Sequence, residues 1–162
     1  MKRLENKVCI VTGASSGIGY ATAVRFAEEG AILSLCARRF ERLEALKKDL
    51  EEKYGSRVMI IKCDVGEYDQ VVNVVDSTAA EFGRIDVLVN NAGMIDYHVP
   101  ANRCSNDWWE KVIRVDQTSV FWFTKEVLRY MEPAGYGSIV NVSSLGGYYG
   151  NCGYPYSAAK SA

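Results

Sequence analysis

The chain has 162 residues, 48% hydrophobic and 24% charged, with 19 Lys and Arg against 20 Asp and Glu for a formal charge of −1. That length can bury a full core, and the composition is that of a single globular domain over residues 1–162. Without a run of positive charge, nucleic-acid and membrane-surface binding are excluded as expectations.

Read in chain order, the opening Met1-Lys2-Arg3-Leu4-Glu5-Asn6-Lys7 is charged and lacks the apolar stretch of a signal peptide. No apolar run approaches membrane-spanning length, so a cytoplasmic protein is expected. Five segments are short, apolar and rich in β-branched residues: Val8–Thr12, Ala31–Cys36, Val58–Cys63, Ile85–Asn90 and Ser138–Ser143. Helical stripes lie between them. Leu43, Leu46, Leu50 and Tyr54 form one; Val71, Val74, Val75, Thr78, Ala79 and Phe82 form another. Gly30 and Gly83 follow two helices where left-handed caps are expected. A fourth, longer helix runs from about Ser105 to Met131, closed by Pro133 and Gly135. Parallel neighbours need crossovers, so this alternation predicts an α/β fold: a Rossmann-like doubly wound parallel sheet of about five strands with helices on both faces. Five cysteines without a Cys-x-x-Cys pair, three of them (Cys9, Cys36, Cys63) in or beside strands, read as free thiols in a reducing compartment. With His98 the single histidine, no metal site is expected.

Directly after the first strand comes Thr12-Gly13-Ala14-Ser15-Ser16-Gly17-Ile18-Gly19. Glycines where a strand turns into a helix let backbone amides and the helix dipole approach a pyrophosphate that side chains would block. Tyr156 and Lys160, four apart, fall on one helical face. An ammonium beside a phenol favours the phenolate and suits the pair to proton transfer.

Thr12-Gly13-x-x-x-Gly17-x-Gly19, Asp64-Val65 after the third strand, Asn90-Asn91-Ala92-Gly93 after the fourth, and Tyr156-x-x-x-Lys160 together resemble the classical short-chain dehydrogenase/reductase family over the whole chain. The resemblance implies an NAD(P)-dependent oxidoreductase moving a hydride between the nicotinamide and a secondary alcohol or ketone, with hydroxysteroid-like carbonyls as candidates. It implies cofactor contacts from Gly13, Ser15, Ser16, Gly17, Ile18 and Gly19. Asp64 and Val65 would lie at the adenine, and Asn90, Ala92 and Gly93 would line the cleft and brace the central strands. Tyr156 and Lys160 would serve both cofactor binding and catalysis. Ser144 is the catalytic serine by resemblance; Ser143 is the alternative, since the interval to Tyr156 is one residue shorter than in many members.

At the end of the second strand Ala37 stands where NAD-type members carry an acid, and Arg38 and Arg39 follow. A 2′-phosphate calls for positive charge, so NADP is favoured. The alternatives are that Arg38 and Arg39 are solvated, or that the cofactor is NAD with Arg38 stacked on adenine. A further departure is Asp116, at the place where members carry an asparagine that helps connect the lysine to solvent. A carboxylate accepts hydrogen bonds without donating any. Asp116 is therefore expected to pair with Lys160 and alter the pH dependence of a proton relay; an ordinary solvated residue is the alternative.

Trp108, Trp109 and Phe121–Phe123 exceed what one helix face against a sheet requires. About half are expected in the core. The remainder, with the family's habit of pairing this helix and the tyrosine helix, implies a homodimer or homotetramer. His98 reads as an exposed loop residue, with substrate contact the alternative. Members of the family continue past Tyr-x-x-x-Lys with further strands and a substrate-covering segment, so the chain reads as the family's N-terminal two-thirds. A non-catalytic dinucleotide-binding or oligomerisation module is thus the second functional expectation.

Overall fold

A computed structural model of the chain describes residues 2–162. Five strands, β1 (Val8–Thr12), β2 (Ile32–Ala37), β3 (Val58–Lys62), β4 (Val87–Asn90) and β5 (Ser138–Asn141), form one parallel sheet in the order β3-β2-β1-β4-β5. The chain lays β2 and β3 on one side of β1, then crosses back to lay β4 and β5 on the other. That reversal opens a crevice at the carboxyl ends of β1 and β4, where ligands of such sheets bind. The register pairs Val11 with both Leu35 and Val89, so the strand ends lie level along the crevice.

Side-chain alternation splits the core into two layers. Cys9, Val11, Leu33, Leu35, Val87 and Val89 face α1 (Gly17–Glu28) and α2 (Phe40–Tyr54). Ala23 and Ala27, both fully buried, let α1 lie close to the strands, and Leu43, Leu46 and Leu50 supply the stripe of α2. Ile10, Cys36 and Leu88 face the opposite layer, which holds Val71, Val74 and Val75 of α3 (Tyr68–Phe82) with Phe123, Val127 and Met131 of α5 (Ser119–Ala134). One polar contact interrupts this layer: Ser34 Oγ lies 2.7 Å from Thr78 Oγ1, and Thr78 donates to the Val74 carbonyl at 2.6 Å. Gly30 and Gly83 take left-handed φ of +84° and +75° after α1 and α3, as their positions predicted.

The fourth helical segment departs from the continuous rod expected over Ser105–Met131. It consists of α4 (Asn106–Ile113), a wide π turn (Arg114–Thr118) and α5. Ser105 caps α4 by accepting from the Trp108 amide at 3.2 Å. Pro133 lies inside the last turn of α5 rather than beyond it, where its missing N–H costs one bond near the helix end. The stop comes at Gly135, at φ +65°. Strand limits move as well: β4 begins at Val87 rather than Ile85, and β5 ends at Asn141 rather than Ser143. Ser143 and Ser144 then lead into a short helix, α6 (Leu145–Tyr149), that no apolar period announces, and α7 (Tyr154–Lys160) follows. Of the aromatics, Phe123 is buried, Trp108 and Trp122 are half-buried, and Trp109 and Phe121 are exposed. No helix among the described residues is long and apolar enough to cross a membrane.

Candidate active site

The crevice is a cleft of about 820 Å³, within the range of small-molecule sites. Its floor is the turn from β1 into α1. Gly13 and Gly17 hold φ of +68° and +58°, which side-chain-bearing residues rarely adopt. Gly19 answers a different constraint: a Cβ there would lie 2.6 Å from the Gly13 carbonyl oxygen, so glycine lets α1 start directly against the strand end. Ser16, at the N-cap of α1, makes no side-chain capping bond, which leaves the first amides of the helix to a ligand. Gly13, Ser15, Ser16, Gly17 and Ile18 all line the cleft; Gly19 lies beneath, buried.

Beyond the turn, Arg39 reaches across it. Its guanidinium donates to Ser15 Oγ at 3.0 Å and 3.3 Å and to Ser16 Oγ at 2.6 Å. Arg38 also lines the cleft and is exposed, and Ala37 ends β2 beside it. Across from them are Asp64 and Val65. Asp64 accepts from the Gly66 amide at 3.0 Å, which fixes its carboxylate in the loop after β3.

The two asparagines after β4 divide their work. Asn90 is buried, and its amide donates to Asn141 Oδ1 at 3.0 Å and Thr124 Oγ1 at 3.4 Å. It braces β4 against β5 and α5 and does not line the cleft, which corrects half of the role expected of it. Asn91 lines the cleft instead and donates to the Thr12 carbonyl at 2.9 Å. The Asn91 and Ala92 amides both donate to Thr12 Oγ1, at 3.0 Å and 2.9 Å, so the ends of β1 and β4 are sewn together at the phosphate turn. Ala92 and Gly93 complete this wall.

At the far end stand Asp116, Ser144, Tyr156 and Lys160. Asp116 projects from the π turn, its side chain fully withdrawn from solvent, and accepts from the Met94 amide at 3.0 Å and 3.2 Å. Lys160 Nζ lies 3.3 Å from Asp116 Oδ1 and donates to the Val142 carbonyl at 3.1 Å. Gly93 makes room for this pair, since a Cβ there would sit 2.6 Å from Asp116 Oδ1 and 3.4 Å from Lys160 Nζ. Burial pushes the Asp116 carboxyl above its ordinary range, more than Lys160 and the Met94 amide draw it down; Asp96 adds to the rise. Asp116 is thus not a solvated residue. Lys160 Nζ is 5.9 Å from the centroid of the Tyr156 ring, placing the ammonium beside the phenol.

The two serines are committed differently. Ser143 Oγ donates to the Lys160 carbonyl at 2.6 Å, tying the strand end to α7. Ser144, at the N-cap of α6, accepts from the Gly146 amide at 3.1 Å, which leaves its own proton available. His98 is exposed on the loop after β4. Among side chains that hydrogen-bond in the region, Thr12 and Asn91, which lay within quoted motifs, and Asp96, for which no motif or period gave a signal, escaped the sequence reading, as did the Met94 amide and the Val142 carbonyl.

Comparison with known proteins follows the same outline. Residues 7–162 match the family model described as short chain dehydrogenase. The chain is 44% identical over 160 residues to a 3-oxoacyl-(acyl-carrier-protein) reductase of Thermotoga maritima, covering 99% of this chain and 64% of that protein. It is 38% identical over 161 residues to 3beta-hydroxysteroid dehydrogenase 2 of Eggerthella lenta, covering 98% and 62%. Among solved structures, NAD+-bound xylitol dehydrogenase superposes with a TM-score of 0.93 at 37% identity, over 99% of this chain and 62% of that one. Levodione reductase gives 0.94 at 38%, over 98% and 62%. The chain therefore spans a little under two thirds of the length of these relatives.

Proposed function

The chain belongs to the short chain dehydrogenase family of oxidoreductases, and on that premise we propose that it binds a nicotinamide dinucleotide, NADP in preference to NAD, and interconverts a secondary alcohol and a ketone. One observation carries this: a single cleft is lined at one end by the glycine turn and at the other by Ser144, Tyr156 and Lys160. The residues present fit the dinucleotide. Left-handed glycines, the close approach at Gly19 and the uncapped amides of α1 form a cradle for a diphosphate. The Arg39 guanidinium beside two serine hydroxyls suits a 2′-phosphate. The NAD reading rests on the likeness to a structure described as NAD+-bound.

When bound, the nicotinamide supplies the hydride to a carbonyl carbon or accepts it from a carbinol. In the reducing direction the Ser144 hydroxyl donates a hydrogen bond to the carbonyl oxygen, and the Tyr156 phenol gives that oxygen its proton as the C–H bond forms. The Lys160 ammonium stabilises the phenolate left behind. Asp116 and the Val142 carbonyl hold Lys160 in place, and Asp116 tempers its charge. The oxidising direction runs these transfers backwards. Substrates are small-molecule alcohols and ketones; reduction of a 3-oxoacyl thioester or oxidation of a 3β-hydroxysteroid to its ketone matches the relatives named above. Exposed Phe121 and Trp109 support self-association through the fourth helical segment, together with the Tyr156 helix, into a dimer or tetramer, and five free thiols support a reducing, cytoplasmic setting.

The test is NADPH consumption with a panel of cyclic ketones, 3-oxosteroids and a 3-oxoacyl thioester, next to a fluorescence titration of NADPH. Turnover with one of these carbonyls supports the reading. Binding without turnover supports instead a non-catalytic dinucleotide-binding module, and absence of both defeats it.

A further inference from the structure

Helix α7 carries Tyr156 yet begins on a residue that cannot cap it. Gly153 occupies the N-cap, with extended backbone and no side chain to receive the orphan amides of the first turn. The missing acceptor comes from elsewhere in the chain. Asp96, on the loop between β4 and α4, lies 60 residues from Tyr156 in sequence, and its Oδ2 accepts from the Tyr156 amide at 3.1 Å. Asp96 is fully buried and does not line the cleft, so it touches neither substrate nor cofactor there.

The contact is built from both sides. On the loop side, Asp96 Oδ1 accepts from the His98 amide at 3.1 Å, and Tyr97 and His98 both hold φ of +56°, a conformation uncommon in non-glycine residues. On the helix side, a Cβ at Gly153 would run into both carboxylate oxygens of Asp96. Glycine at that N-cap therefore admits the carboxylate from the loop and at the same time makes it necessary. A carboxylate at a helix N-terminus is also favoured by the helix dipole.

We propose that Asp96 is a positioning residue: it caps the helix bearing Tyr156 from across the fold and so fixes where the phenol enters the cleft. The loop that follows the Asn-Asn-Ala-Gly turn is thereby coupled to the catalytic helix. Displacement of that loop loosens Tyr156 without altering the dinucleotide cradle. The inference rests on the catalytic reading of Tyr156, but the cap can be measured without turnover.

Asp96→Asn keeps the shape and offers one acceptor oxygen where two amides need one each. Amide hydrogen exchange over residues 154–160 should quicken about tenfold in this variant. NADPH affinity by fluorescence titration should stay within about twofold, while kcat with the best ketone of the panel falls about tenfold or more. A second pair guards against global unfolding. Asp96→Ala opens space at Gly153, and Asp96→Ala with Gly153→Ser provides a hydroxyl cap from the helix itself. The double variant should regain exchange protection over 154–160, or the fold itself if Asp96→Ala loses it. Unchanged exchange in Asp96→Asn, or no recovery in the double variant, overturns the proposal. A protein that turns over no ketone would defeat the catalytic reading and leave the exchange result to decide the cap.

Discussion

Lys160 Nζ lies 3.3 Å from Asp116 Oδ1 with both side chains withdrawn from water, 8% and 0% exposed. An ion pair of this kind gains attraction and loses hydration, and for Asp116 the loss is larger: burial holds its carboxyl above the ordinary aspartate value of 3.8 despite Lys160. The charged groups facing it are Lys160 on α7 and Asp96 on the loop after β4. Because the folded state holds this proton longer than the unfolded chain, the stabilisation it brings is complete below 3.8 and is lost as pH rises through the folded value. Urea melts should show wild-type stability falling, relative to Asp116→Asn, as pH rises across that window. In the same variant Lys160 acts on Tyr156 with its charge undiminished, so the ionisation governing kcat/KM should move to lower pH. An unchanged profile removes Asp116 from the mechanism.

Arg39, rather than Arg38, lies against the serines of the phosphate turn. Arg39→Ala should weaken NADPH binding by about 2 kcal/mol, roughly thirtyfold, and leave NADH nearly unchanged. Paired titrations of the two dinucleotides check this. Equal losses for both would place Arg39 in the turn's structure and not in selectivity.

Buried hydroxyls at Ser34 and Thr78 satisfy each other between β2 and α3. Thr78→Val leaves Ser34 without its partner and should cost about 1–3 kcal/mol in chemical denaturation. Adding Ser34→Ala should recover part of that loss, because the double variant leaves no orphaned group.

Thiol chemistry reads the core directly. Cys9, Cys36 and Cys63 are buried, and desolvation aided by Asp86 pushes the Cys9 thiol up to about 12. Cys104 and Cys152 are partly exposed. Brief alkylation of the folded protein at neutral pH, followed by peptide mapping, should modify Cys104 and Cys152 and spare the other three.

The strands were legible because a parallel sheet covered on both faces leaves near-continuous apolar runs, as in Val8–Thr12 and Val87–Asn90. The glycine turn and the four-residue spacing of Tyr156 and Lys160 were legible for equally local reasons. What stayed hidden depends on direction and distance. Asn90 and Asn91 are adjacent, yet one turns toward β5 and the other toward β1, and composition does not distinguish them. The choice between Arg38 and Arg39 likewise turns on which side chain leans over the turn. The π turn that aims Asp116 at Lys160 has no periodic signature within an otherwise helical run. Asp96 meets Tyr156 only through the fold.

The most direct measurement is NADPH binding and ketone reduction by wild type and Tyr156→Phe side by side. The phenol is the proposed proton donor and lies apart from the diphosphate cradle. The variant should therefore keep NADPH affinity within about twofold while kcat falls by about a hundredfold or more. Undiminished turnover in Tyr156→Phe, or no affinity of the wild-type protein for either dinucleotide, would contradict the account.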